Sequence, residues 1–330
     1  MLRTAIMLLL LAAAAAGETI PEFGPSIGYA KGDPAVTMAG MRGKAVLVVF
    51  GQSWCPICNN WSPTLLSQLE ASYAGKSGIV LLLVKTDGDA ASGREYLAGH
   101  KATPERWFVV GDAGAAWTKA VMGEDKLWQF AVVDPAGQVV DRGQAGMFSK
   151  GKDGGQQFSL ARNKALATAA AAATSLLPPG TEVPLGAARA AQLAEVGCFA
   201  EAFTALASAP KADADAFRGA LLAGAATRVQ ALSATLAGEA PDRFAAYLAL
   251  RTLAAAMKGS EPAKQADAAM KEAAKQKPIQ RELAAEKAWK GAQARIESMP
   301  VSKREAATAQ ARADFAKAYA DTWFAGTIGR

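Results

Sequence analysis

The rhythm of hydrophobic positions changes near residue 150. Before it come short apolar runs: "AVLVVF" (Ala45–Phe50), "GIVLLLV" (Gly78–Val84), "RWFVV" (Arg106–Val110) and "QFAVVD" (Gln129–Asp134). They are mostly β-branched or aromatic and unbroken by polar positions, which predicts strands buried on both faces. "DPAGQVVDR" predicts a turn at Asp134–Gly137 that enters a final strand. Helices are predicted between the strands at about Cys55–Tyr73, Ala90–Gly99 and Ala113–Val121. Strands alternating with helices imply an α/β fold, a central mixed sheet flanked by helices.

"SKGKDGGQQ" (Ser149–Gln157) is rich in glycine and charge and reads as an exposed linker. Beyond it alanine dominates, with leucine and spaced charges. Breaks fall at Leu177–Gly186, Ala209–Asp215, Gly238–Arg243, Lys258–Ala263, Lys275–Pro278 and Met299–Lys303. Helices with short connections between those breaks predict an all-α helical-hairpin or bundle domain. "GCFAEAFTAL" (Gly197–Leu206) resembles the second-helix start of a tetratricopeptide repeat, without a regular repeat period behind it.

Of the 330 residues, 51% are hydrophobic and 20% charged, which suits a chain with real cores rather than a disordered one. The net charge is +6 and uneven: residues 18–150 carry 12 basic and 13 acidic side chains, residues 151–330 carry 23 and 17. The basic residues of the second half alternate with acidic ones, as on a solvated helix face. No basic block is interleaved with aromatics, so no nucleic-acid partner is expected. "MLRTAIMLLLLAAAAAGETI" reads as a secretory signal peptide over residues 1–17: a basic start at Arg3, an apolar run too short to span a bilayer, then small residues. A retained N-terminal anchor is the alternative. Cleavage leaves no membrane span, and export to the periplasm or beyond puts cysteines where a disulfide persists.

Two of the three cysteines lie in "VLVVFGQSWCPICNNWSP" (Val46–Pro63), as Cys55 and Cys58. A C-x-x-C that follows a buried strand and opens a helix has a mechanical logic. The helix N-terminus favours a thiolate in its first turn, and one turn brings the sulfurs within bonding reach. Pro56 sits where a helix tolerates proline best. Cys55 is expected outermost, as the attacking thiol, and Cys58 one turn in, as the resolving one. Trp54 and Trp61 would shield one side. Three readings stay open for the pair: a reversible dithiol/disulfide, a permanent structural disulfide, and a metal clip. The clip is poorly served. His100 is the only histidine, at a helix end in "YLAGHKATPE", and two thiolates leave zinc short of its four ligands.

The segment "MRGKAVLVVFGQSWCPICNNWSPTLLSQLEASY" resembles the active-site region of the thioredoxin superfamily, most of all exported proteins of the TlpA and ResA type. The resemblance rests on Gly43-Lys44 before the strand, Phe50 in it, Trp54-Cys55, Cys58, and Pro63 five residues after the second cysteine, where the family's helix kinks. "GIVLLLVKTD" and "FAVVDPAGQVVDRG" resemble the family's next strand and its closing hairpin, so the likeness spans roughly residues 36–145. It implies a thioredoxin-like domain over residues 18–148, a linker at 149–160 and a helical domain over 161–330. It also implies disulfide exchange with protein thiols or disulfides and an electron donor or acceptor protein. No nicotinamide, flavin or other cofactor motif and no metal-ligand pattern is visible. Trp54, Pro56, Ile57, Pro63 and Trp128 would surround the Cys55–Cys58 site.

Two positions depart from the family pattern. Trp128 stands where a cis-proline usually opens the strand before the hairpin, so a trans peptide is expected there. Val49 stands where thioredoxins carry a buried aspartate, and Glu70 is not an evident substitute. The rival to an oxidoreductase is a non-catalytic scaffold with a structural disulfide and a helical partner-binding domain. Cys198 reads as a small buried hydrophobe in a helical segment. Asp87, Asp89, Glu124 and Asp125 read as solvated turn residues, and Trp107, Trp117 and Trp128 as core.

Overall fold

The computed structural model describes residues 18–30, 33–73, 76, 78–124, 129–144, 164–239 and 241–328. The expected signal peptide at 1–17 and linker at 149–160 lie outside them. The described chain forms two compact units, residues 1–224 and 225–330.

The first unit is built on a seven-stranded sheet in the order β1-β7-β6-β3-β4-β5-β2. The centre is β3 (Ala45–Gly51), β4 (Ile79–Lys85) and β5 (Phe108–Gly111), mutually parallel. β6 (Gln129–Val133) runs antiparallel to β3, and β7 (Gln138–Gln144) antiparallel to β6. These are the strands the apolar runs predict, and every residue of β3 is buried. Two short edge strands, β1 (Glu18–Thr19) on β7 and β2 (Gly28–Tyr29) on β5, lack an apolar run and were not legible. The expected Asp134–Gly137 turn closes with the Gly137 amide donating to the Asp134 carbonyl (2.8 Å). Gly137 takes φ +75°, a conformation that a Cβ disfavours. Helices α1 (Pro56–Tyr73), α2 (Ala90–Gly99) and α3 (Ala116–Met122) occupy the three predicted stretches.

The chain beyond residue 163 does not start a separate body. Helical residues 164–171 (α4) place Leu166 and Ala169 in the same core as Leu47, Leu81, Trp107 and Val132. α5 (Ala188–Glu195) and α6 (Phe199–Ala207) follow as a hairpin turned at Gly197, φ +81°. The join to the sheet is polar and buried. Lys44, just before β3, sends its ammonium to Glu195 Oε2 (2.6 Å) and to the Thr174 carbonyl (2.6 Å). The two side chains are 3% and 6% exposed. Glu195 has further partners: Ser175 Oγ donates to Oε1 (2.6 Å) and the Leu176 amide to Oε2 (3.2 Å). The Thr174 amide donates to the Gly43 carbonyl (2.8 Å). A second tie runs from Arg189 on α5 to Asp33 (2.9 Å), which also accepts from Arg94 of α2 (2.5 Å). The Arg189 guanidinium lies over the Phe108 ring at 5.1 Å.

The long α7 (Lys211–Ala237) contains the division between the units. Before it, Gly224 approaches Leu176 so closely that a Cβ would stand 2.4 Å from its carbonyl oxygen. The second unit continues with α8 (Arg243–Ala256), α9 (Glu261–Ala273), α10 (Lys277–Glu297), α11 (Val301–Ala318) and α12 (Trp323–Ile328). Their ends follow the predicted proline and glycine breaks. Aromatic rings knit the unit: Trp289 meets Phe315 at 5.3 Å, Phe315 meets Phe324 at 6.2 Å, and Phe324 meets Phe244 at 6.1 Å. Glu282 accepts the Trp323 and Phe324 amides (2.7 and 3.0 Å), capping the start of α12. Glu286 accepts two bonds from Arg251 (2.9 and 2.6 Å) and lies 2.7 Å from Lys290 Nζ.

Breaking the Lys44–Glu195 pair from one side leaves a buried charge uncompensated. Lys44→Met is expected to cost the first unit about 3–5 kcal/mol, read from chemical unfolding followed by tryptophan fluorescence; a loss within experimental error would refute an organising role. In the second unit, the hydrogen bonds from Arg251 hold the Glu286 carboxyl down at about 2. The folded form therefore binds fewer protons than the unfolded form between that value and the ordinary carboxylate range. The stabilisation is full above the ordinary range and is lost as pH falls towards 2. Glu286→Gln should flatten the acid limb of the helical circular-dichroism midpoint, and an unchanged limb would contradict this.

Candidate active site

β3 is apolar to its end at Gly51, whose carbonyl accepts from the Thr86 amide (3.1 Å). The loop that follows is fixed by its neighbours. The Ser53 amide donates to Asp87 Oδ2 (2.8 Å), and the Ser53 carbonyl accepts from Asn59 Nδ2 (2.8 Å). Helix α1 then opens at Pro56, whose missing N–H costs nothing in a first turn, and the Asn59 amide makes the first helical bond, to the Cys55 carbonyl (3.0 Å). Cys55 thus sits immediately before the helix N-terminus. It is disulfide-bonded.

Cys55 is buried. It is 1% exposed and belongs to the sheet core that includes Val49, Leu66, Leu83 and Tyr96. The expectation of an exposed attacking sulfur is corrected here: the loop folds back so that the cysteine faces the core, while the preceding Trp54 stands 64% exposed and shields nothing. Pro56 is exposed. Pro63 lies within α1, its carbonyl accepting from Ser67 Oγ (2.6 Å). The side chains of Ile57, Cys58 and Trp61, and the whole of Trp128, lie outside the described residues.

A buried charged group ends the next strand. Lys85 ends β4, level with Gly51 on β3 and Gly111 on β5. Its side chain is 2% exposed, and its ammonium donates to Asp87 Oδ1. The Tyr96 ring of α2 lies 5.8 Å from the nitrogen. Burial pulls the Lys85 ammonium down to about 8, with the Asp89 charge opposing that pull. The only hint in the sequence is a lysine closing an otherwise apolar strand, "GIVLLLVK".

The other candidates are structural in position. Val49 is buried between Leu83 and Phe130 of the adjacent strands. Glu70 is buried on α1, and its Oε1 accepts from the Thr103 amide (2.6 Å) and Trp107 Nε1 (2.7 Å). Trp107 and Trp117 are core residues, the latter donating to the Pro21 carbonyl (3.1 Å). His100 caps the C-terminus of α2, Nδ1 lying 2.6 Å from the Tyr96 carbonyl. Asp89 is the N-cap of α2, accepting from the Ser92 amide (2.8 Å). Asp87 is no free turn residue but the link between Lys85 and Ser53; Asp125 lies outside the described residues. Cys198 is a half-buried thiol at the N-cap of α6. Among the described residues, no three His, Cys, Asp or Glu side chains cluster as a metal site.

No curated protein matches the chain. Among solved structures it is similar to the thioredoxin domain of a thiol-disulfide oxidoreductase from Bacteroides vulgatus, at 21% identity over 45% of this chain and 98% of that one, TM-score 0.33. It is also similar to a thioredoxin-family thiol:disulfide interchange protein from Chlorobium tepidum, at 21% identity over 47% and 99%, TM-score 0.33. A secreted Mycobacterium tuberculosis disulfide oxidoreductase aligns at 18% identity over 37% and 85%, TM-score 0.29. The sheet order β7-β6-β3-β4-β5 with flanking helices is a thioredoxin-like fold, and residues 15–154, which hold that sheet and the cysteine pair, match the Redoxin family model.

Proposed function

We propose that this chain is an exported thiol–disulfide oxidoreductase whose working pair is Cys55 and Cys58. The observation that carries the reading is the disulfide at Cys55, placed between a buried strand and a helix N-terminus. In the oxidative direction, a substrate thiolate attacks one sulfur of the pair and a mixed disulfide forms. The other sulfur leaves as a thiolate, and a second substrate thiol then releases the substrate as a disulfide and the pair as two thiols. In the reductive direction Cys55 attacks a substrate disulfide and Cys58 resolves the mixed species. Electrons pass between proteins, and a donor or acceptor protein resets the pair. The start of α1 supports a thiolate at Cys55 through its partial positive charge. The burial of Cys55 makes exchange gated: the Ser53–Pro56 loop has to move before a partner sulfur reaches it.

That same burial favours a second reading, a thioredoxin-fold scaffold in which the disulfide is a permanent staple and the helical part binds a partner. Titration in thiol buffers of graded potential, read by alkylation of the folded protein, separates the two. The oxidoreductase should show one two-electron midpoint, with Cys55→Ser abolishing thiol exchange. A pair that resists strong reductant in the folded state, or exchange that survives Cys55→Ser, would establish the staple instead.

A further inference from the structure

We propose that Lys85 is a positioning residue for the Cys55 loop, acting through Asp87, and that its charge sets how readily Cys55 reacts. This rests on the oxidoreductase reading of the pair. The chain of contacts is short. The Lys85 ammonium holds Asp87 Oδ1, and Asp87 Oδ2 holds the Ser53 amide, two residues before Cys55. Both ends of the clamp are anchored in the sheet: Lys85 by its register with Gly51, and the loop by β3 itself.

A lysine at such a place needs an explanation, because burial of an ammonium is costly unless a partner compensates it. The surroundings are shaped for this one. The residues level with it on the flanking strands are Gly51 and Gly111, which bring no side chain. Gly93 of α2 lies so near that a Cβ there would be 3.3 Å from Lys85 Cβ. The charged and titratable groups that face the ammonium are Asp87 from the loop after β4, Asp89 at the N-cap of α2 and Tyr96 within α2. Asp112, at the end of β5, is turned away and accepts from the Thr118 amide and hydroxyl (both 2.8 Å). Among the described residues, Lys85 is the ammonium recorded against the carboxylates next to the loop.

The consequence is directional. With Lys85 charged, Asp87 is neutralised and held still, so the loop keeps its place and a thiolate at Cys55 is tolerated. With Lys85 neutral, Asp87 places an uncompensated negative charge under the loop, which disfavours a second negative charge on the sulfur. Burial brings that change within reach of mildly alkaline pH, since Lys85 sits near 8.

The test uses the full chain. In the oxidised protein, where Cys55 does not titrate, the Ser53 amide is followed by nuclear magnetic resonance after selective serine labelling. Its shift should move with a midpoint near pH 8, the value to which burial brings Lys85, and should be flat in Lys85→Met. In the reduced protein, alkylation of Cys55 at neutral pH should slow about tenfold in Lys85→Met, the order expected for one charge removed at an effective dielectric near 20. Lys85→Arg should restore most of the rate, and Asp87→Asn should abolish the Ser53 titration without the loss of rate. A Ser53 amide that ignores pH in the wild type, or a Lys85→Met protein that alkylates within about twofold of it, would overturn the proposal. A wild-type pair without a reversible midpoint would instead defeat the oxidoreductase reading, and the Ser53 titration would still decide the clamp.

Discussion

The first unit depends on one buried ion pair. Lys44 precedes β3, the central strand that carries the cysteine loop, and Glu195 ends α5, far along the chain. Taking both charges out of water costs several kcal/mol per ion, and the attraction between them repays this only when every remaining donor and acceptor is used. Here most of them are: the ammonium also reaches the Thr174 carbonyl, and the carboxylate also takes Ser175 Oγ and the Leu176 amide. The geometry admits one arrangement, which fixes the segment from α4 to α5 against the start of β3. Apolar burial alone would not choose it, since an alanine-rich helix packs on an apolar sheet face in many registers.

That fixation reaches the candidate site through the strands. β3 and β4 are buried along almost their whole length, so the sheet is a rigid floor and conformational freedom is confined to its ends. At the end where β3 and β4 finish, three glycines and one lysine take the places that bulky side chains hold elsewhere. The loop that bears Trp54 and Cys55 is tied there by Asp87 and Asn59, among others. A loop on a rigid floor, held by side-chain hydrogen bonds rather than by the sheet ladder, is where an opening motion can occur.

Most of the sheet was legible because its signal is local. A strand buried on both faces has to be apolar throughout, and the runs at Ala45, Gly78 and Gln129 announce themselves. The helices of the second unit were legible from their prolines and glycines. What was hidden depends on pairs distant in sequence. Glu195 looks like any polar residue on an alanine-rich helix, and nothing in "LAEVG" says that Lys44 lies opposite. Hence the sequence predicts a separate helical domain from residue 161 onward, whereas in the structure residues 164–224 fall in the compact unit that contains the sheet. Lys85 was hidden because a lysine at a strand end usually marks an exit to solvent. Burial of Cys55 was hidden because the C-x-x-C pattern fixes spacing and helix position but not which way the loop folds.

That last point bears on how the site can work. Two effects act oppositely on a thiolate at Cys55. The helix N-terminus contributes about 0.3–1 kcal/mol, and up to about 2 kcal/mol when partly buried. Removing a charge from water into an apolar core costs more than that unless it is paired. Burial therefore wins while the loop stays closed, and a helix start by itself does not activate the sulfur. Thioredoxins meet a related problem with a buried acid near the pair, and this chain has Val49 at that position. A charged group buried at the end of the next strand is a base, Lys85. A cation under the loop works on the thiolate with the same sign as the helix terminus. A base at the end of β4, where β3 carries Val49 in place of an acid, reverses the sign of the buried charge that the loop's clamp brings.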